Sequence, residues 1–303
     1  MKDGLISHEH LVMIVTAVIV GTLARLFTII EDYRQYPSYP NGYLIHLLTG
    51  FVSAAIGAVA VPALMTKNFI AVTFLTAAAQ QFRDVRKSER ESLKDLEHTE
   101  YAYRGEAYID GIAKTFESRN YFALIVALIT AITMELIDAK ATWVNVIAGS
   151  LVGLIVFYFL KRFSKGKSIG DIADVEQGTV EVRESELYVD GMYVSNLLGS
   201  DHASKLFETE GLAVIIKPHE NHLRITLDHF GQRQAALFEA TRALGLKRYH
   251  FTRRDFENGR IVITLVPIIN DIDRLIEAVK KTPLLESTRK SKAVMNTNLV
   301  GKK

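Results

Sequence analysis

Apolar residues crowd the first half of the chain and then give way to mixed, charged sequence. A bilayer core needs about 20 mostly apolar residues per helix, at roughly 1.5 Å rise each. Residues 11–30, 43–64 and 121–137 meet that requirement, and 143–160 is slightly short. The last run has Trp143 and Tyr158 near its two ends, where amphipathic rings favour the membrane interface. Residues 69–82 are too few to span comfortably and end near Gln80-Gln81. They predict either a fifth span or a short element that continues as the charged helix after it. Residues 1–160 are therefore expected to form a helical membrane domain of four or five spans.

Small residues recur four apart at Ala17 and Gly21, Ala54 and Ala58, and Gly149 and Gly153. Such steps let helix backbones approach closely in lipid and predict a compact bundle. Arg25 and Glu135 lie near helix ends, where long side chains reach the interface by snorkelling, and His46 lies near the start of its run. With no central charge and no broken helix, a transport pathway is disfavoured.

After Gly178 the pattern changes to short alternations. Residues 179–183 and 187–194 read as strands, the second interrupted by Asp190-Gly191. A helix is expected near 202–210, then a hairpin of 212–217 with 222–227 across Pro218-His219-Glu220-Asn221. Residues 230–244 predict a helix ending at Gly245. A second hairpin pairs 247–252 with 260–266, and a final helix over 271–281 stops before Pro283. The order gives a cytosolic α+β domain over 161–285, ββα-ββα-like, with helices on one face of an antiparallel sheet. Residues 286–303 carry an excess of Lys and Arg and predict a flexible basic tail.

Charge sets the orientation. Residues 83–120 hold eight Lys and Arg, and Lys161, Arg162, Lys165 and Lys167 follow the last run. Both segments flank the final helix pair, so the positive-inside bias places both in the cytoplasm. The first apolar run contains Arg25 and leads into Glu31-Asp32, which reads as a retained membrane helix rather than a cleaved signal. The chain has no cysteine, which excludes disulfides, thiolate metal sites and Cys nucleophiles. Neither half is basic enough for nucleic acid. No cofactor motif appears, and His219-Glu220-Asn221-His222 and His8-Glu9-His10 lack the spacing of a helical His-Glu-x-x-His metal site.

The cytosolic helical segment 83–120 carries the candidate chemistry. Phe82, Val85, Leu93 and Leu96 form a narrow apolar stripe, with Asp84–Lys87 and Glu91–Lys94 as helical ion pairs. If 103–121 is one helix, Glu106, Asp110 and Glu117 point within about 40° of one another. Three carboxylates on one stripe offer a divalent-cation site or mutually perturbed acid–base groups. Equally, they face water or pair with Lys114, Arg104 and Arg119.

Tyr108-Ile109-Asp110-Gly111-Ile112-Ala113 resembles the signature that names the YIEGIA family, membrane proteins of spore-forming Firmicutes. Lys114-Thr115-Phe116-Glu117-Ser118-Arg119-Asn120-Tyr121 continues the resemblance, as do Asp32-Tyr33-Arg34-Gln35-Tyr36-Pro37 and Gln80-Gln81-Phe82-Arg83. Asp110 stands where the name-giving motif has glutamate, which keeps the carboxylate but shortens its reach. The resemblance implies a multi-pass protein of the cell membrane in a sporulating bacterium, with a membrane half followed by a soluble half. Because no secure catalytic group appears, the chain reads as a regulatory or scaffold protein whose partners are the lipid bilayer and a cytosolic protein or small regulator. The alternative is a membrane-associated protease in which Asp110, Glu106 and Glu117 activate water and whose partner is a protein substrate.

Overall fold

A computed structural model describes residues 8–32, 40–137, 139, 141–196 and 198–288. The chain divides into two compact units, Met1–Glu91 with Ile112–Lys165, and Ser92–Gly111 with Gly166–Lys303. This differs from a single cut at residue 160, because the chain around residue 100 joins the C-terminal unit. Part of the resemblance, 33–37, and the tail from 289 onward lie outside the described residues.

Five long helices supply the first unit: α1 (His8–Asp32), α2 (Pro40–Met65), α3 (Phe69–Leu96), α4 (Glu106–Ile137) and α5 (Thr142–Phe163). Four of them, α1, α2, α4 and α5, are long and apolar enough to cross a membrane. Residues 69–82 are the start of α3, which runs unbroken into the charged sequence. α4 begins at Glu106 rather than 103 and joins the rest of the expected 103–121 segment to 121–137 in one helix of 32 residues.

Small residues explain how α4 comes to pack against its neighbours. At Gly21 of α1 an added Cβ would sit 2.7 Å from the Ala123 carbonyl oxygen and 2.9 Å from Ala127 Cβ. Gly57 of α2 abuts the Leu124 carbonyl, and Gly149 of α5 lies against Thr130 and Met134. Ala17, Ala54, Ala58, Ala123, Ala127 and Ala131 are buried in the same cluster. Phe82 of α3 meets Tyr121 of α4 edge to face, with centroids 5.3 Å apart.

Arg25 departs from the snorkelling expectation. Its side chain is 1% exposed, its stem lies against Gly50, and its Nη1 donates to Thr28 Oγ1 at 3.2 Å. Glu89 of α3 supplies an opposing charge within this unit. Gly50 leaves room for the stem, so burial inside the helices replaces a route to the surface.

The C-terminal unit contains β1 (Ala173–Gln177), β2 (Val180–Arg183), β3 (Glu186–Val189), β4 (Met192–Ser195), α6 (Asp201–Glu210), β5 (Leu212–Pro218), α7 (Arg224–Asp228), α8 (Phe230–Leu244), β6 (Arg248–Arg254), β7 (Ile261–Val266) and α9 (Ile272–Lys281). A four-stranded antiparallel sheet has the order β1-β5-β7-β6, and β2-β3-β4 form a separate three-stranded sheet. Asp190 and Gly191, both at positive φ, make the tight β3–β4 turn. α8 ends at Gly245, whose φ is +69°.

Helices were expected on one sheet face, yet β5 and β7 are apolar at nearly every position and need cover on both. Val214, Ile216, Ile261 and Ile263 face α8 and α9, while Ala213, Ile215 and Val262 face α6 and the smaller sheet. Residues 222–227 form no strand; they make a 3-10 turn and α7. β1 and β7 already occupy both edges of β5, and Leu227 packs into the core instead. The expected flexible tail starts with described structure, since Glu286–Thr288 is a 3-10 turn with Thr288 buried, and its remainder lies outside the described residues.

The close seam between α2 and α4 predicts that Gly57→Val, which drives a side chain into the Leu124 carbonyl, destabilises the first unit by at least about 2 kcal/mol. Thermal unfolding in detergent, compared with an exposed Gly166→Ala control, measures the difference.

Candidate functional site

The loop between α3 and α4 builds the start of the candidate segment. Gly105 has φ +82°, a conformation that favours glycine, and an added Cβ would lie 2.5 Å from Gln234 Oε1 of α8. Glu97 accepts hydrogen bonds from the Arg104 and Gly105 backbone amides at 3.0 and 3.1 Å. These bonds fix the entry into α4.

Two side chains then dock on α8. The Arg104 guanidinium lies 4.5 Å from the Phe238 ring centroid, donates to Glu100 at 2.8 Å, and has Glu97 at 3.5 Å. Tyr108 is buried, meets Phe238 edge to face, and donates its hydroxyl to Glu239 Oε1 at 2.5 Å. Arg242 donates to the other Glu239 oxygen at 2.6 Å. Ala102 from the same loop lies in the core beneath α8, and the Tyr101 carbonyl lies 3.1 Å from His250 Nε2 of β6.

The three expected carboxylates have different surroundings. Glu106 is largely exposed and pairs with Lys94 at 2.7 Å. Asp110 is half-buried. Glu117 is 16% exposed and has Arg86 of α3 at 3.5 Å. Glu106 and Asp110 belong to the C-terminal unit and Glu117 to the first. Arg104, one of the cations expected beside this stripe, is engaged by Glu97 and Glu100 instead. Among the described residues no group of three His, Asp or Glu side chains could hold a metal ion. His219 and His222 each sit beside a single carboxylate, Asp174 and Glu220.

Within the signature, Tyr108, Ile109, Ile112 and Ala113 are buried, while Asp110 and Gly111 are half-buried. A sequence model of the YIEGIA protein family matches residues 13–295. The chain belongs to the YIEGIA family. A curated relative, "Uncharacterized protein YphB" of Bacillus subtilis (strain 168), is 34% identical over 286 residues, covering 92% of this YIEGIA chain and 94% of its own length. No solved structure matches the chain. In this YIEGIA protein the signature tyrosine is thus a contact to α8, made through Phe238 and Glu239.

A second feature of the C-terminal unit escaped the sequence reading. A cleft of about 470 Å³ opens among Asp228, Phe230, Arg233, Thr252, Arg254 and Phe256, with Arg253 beside them. Its rim is held by the β6–β7 turn. Asp255 accepts from the Glu257 and Asn258 amides at 2.9 and 3.3 Å, and from Asn258 Nδ2 and Arg260 Nε, each at 3.0 Å. Arg224 donates to the Phe256 and Glu257 carbonyls at 2.9 Å. The signal available in the sequence was the interleaving of basic and aromatic residues over 247–256.

Two predictions follow from this geometry. Tyr108→Phe removes the donor to a mostly buried Glu239 and is expected to lower the unfolding free energy by about 1–2 kcal/mol; thermal unfolding of the full chain tests it. The second concerns acid stability. Partial burial raises the Asp255 carboxyl, but hydrogen bonds from Asn258, Arg260 and Glu257 outweigh it and hold the group down at about 2, against an ordinary 3.8. A depressed carboxylate contributes stability above its unfolded value and loses it as pH falls through its folded value. The stability gap between wild type and Asp255→Asn should therefore be full at neutral pH and close between about pH 4 and pH 2, as read by unfolding at stepped pH.

Proposed function

We propose that this YIEGIA family member is a multi-pass cell-membrane protein of sporulating cells, acting as a regulator or scaffold through its C-terminal unit. α1, α2, α4 and α5 cross the bilayer, and the C-terminal unit faces the cytoplasm. The four long apolar helices support the first statement. The eight Lys and Arg in 83–120 and the four in 161–167, which flank the final helix pair, support the second.

One observation carries the regulatory reading: the α3–α4 loop and first turns of α4 are packed into the C-terminal unit through Arg104 and Tyr108. A partner that shifts α8 acts directly on Phe238 and Glu239, and so on the start of α4. This arrangement needs no catalytic group. The protease reading rests on Asp110, a half-buried carboxylate inside the signature, with Glu106 and Glu117 as its candidate neighbours.

Quantitative proteomics on cells carrying wild type, a deletion of the whole protein, a deletion of residues 170–283, or Asp110→Asn, at equal membrane abundance, separates the readings. The regulator predicts that Asp110→Asn matches wild type while removal of 170–283 matches the full deletion. If Asp110→Asn instead reproduces the deletion, with the same few proteins accumulating at unchanged transcript levels, the regulator gives way to the protease.

A further inference from the structure

We propose that the cleft between α7, the start of α8 and the end of β6 binds a nucleotide, its phosphates on the arginines and its ring against Phe230 and Phe256. This rests on the regulator reading and gives the regulator a chemical class.

Charge is the first argument. Three arginines and one aspartate line the cleft. Arg254 pairs with Asp228 at 2.7 Å, which leaves Arg233 as the cation beyond that pair, with Arg253 at the rim, its guanidinium carbon 5.7 Å from the Tyr193 ring centroid. Arg233 lies in the first turn of α8, where no acidic residue stands and His229 offers no side-chain cap. A cation at the positive end of a helix is unfavourable, and an anion placed there relieves both charges. Burial also depresses Arg233 below the ordinary arginine value; Asp228 pulls it back up, while Arg254 and Arg253 push it further down. Planar guanidinium groups match phosphate oxygens in forked geometry.

The aromatic rings narrow the choice of anion. Phe230 is 69% exposed and Phe256 72%, so two large apolar rings stand open at one polar cleft. Phe256 sits on the turn that Asp255 and Arg224 hold, and its ring lies 4.4 Å from the Arg254 guanidinium carbon. Such pre-set rings favour a planar partner, because stacking is gained without ordering a loop.

Two buried atoms complete the pattern. Thr252 Oγ1 and Asp228 Oδ1 are shielded from solvent and have no hydrogen-bond partner among the described residues. A buried polar atom without a partner is costly, and Asp228 Oδ1 accepts only from a donor. A nucleotide carries phosphate, a flat ring, and N–H or O–H donors together. Inorganic phosphate and a phosphatidylglycerol headgroup carry no ring.

The test is fluorescence anisotropy of the full-length protein in detergent with methylanthraniloyl-labelled ATP and GTP, competed by unlabelled nucleotide and by inorganic phosphate. Saturable binding is expected, with inorganic phosphate a far weaker competitor. Phe256→Ala and Arg233→Gln should each weaken it by roughly tenfold or more, with unfolding midpoints showing that both variants remain folded. The proposal is overturned by an absence of saturable binding, or by phosphate competing as well as nucleotide while Phe256→Ala changes nothing. It is also overturned if the two substitutions affect only binding to phosphatidylglycerol vesicles or to an acidic peptide. Should residues 170–283 prove necessary in cells while no nucleotide binds, the ligand assignment fails and the regulator reading stands. Binding without any cellular need for 170–283 sinks the regulator reading alone.

Discussion

Arg104 carries a full positive charge on a side chain that is only 10% exposed, and a cation so placed persists only where anions and polarisable surface surround it. Glu97, Glu100 and the face of Phe238 provide that surrounding. Glu97 also closes the loop through the amides of Arg104 and Gly105. Phe238 also packs against Tyr108, whose hydroxyl needs Glu239. The start of α4 is thus specified by polar groups that α8 must satisfy, which is why Ser92–Gly111 folds with a domain that begins more than fifty residues later.

Further along α4 the same helix is held by a different physics. From Ala123 to Ala131 it presents small side chains and bare carbonyls to Gly21, Gly57 and Gly149. Packing of this kind depends on backbone approach, and it has little tolerance for an added methyl group. A helix with a polar, specific beginning and a close-packed remainder responds to different perturbations at its two ends. The signature residues Tyr108 to Ala113 span the change from one regime to the other, which gives a physical reason for a family motif that need not itself perform chemistry.

Periodicity disclosed most of the elements, and the failures have physical causes. Helices at 230–244 and 271–281 and the hairpin of β6 with β7 were legible because pattern, turn residues and stop signals agree. β1 was missed because Ala173–Gln177 carries Asp174 and Glu176 and buries little beyond Ala173 and Val175. Its presence then removed the edge that residues 222–227 were expected to fill. The unbroken apolar runs of β5 and β7 did encode a sheet covered on both faces, but only tertiary context shows what covers each. At the candidate site, spacing placed Glu106, Asp110 and Glu117 on one stripe, yet Lys94 and Arg86 come from α3 and could not be ranked from the sequence.

The cleft illustrates a limit of motif reasoning. Its residues come from α7, α8, β6 and the following turn, so no local spacing announces it. What the chain does show is a run of Lys247, Arg248, Arg253 and Arg254 with Tyr249, Phe251 and Phe256. The sheet divides that run: Tyr249 and Phe251 turn into the core shared with Phe207, while Thr252 and Arg254 face Asp228 and Arg233. Alternation along one strand therefore sorts basic and aromatic residues into structure on one side and an open, charged recess on the other. Asp228 accepts from Arg254 through one oxygen and leaves the other buried without a donor. A ligand that brings both negative charge and a hydrogen-bond donor would meet the arginines and that oxygen together.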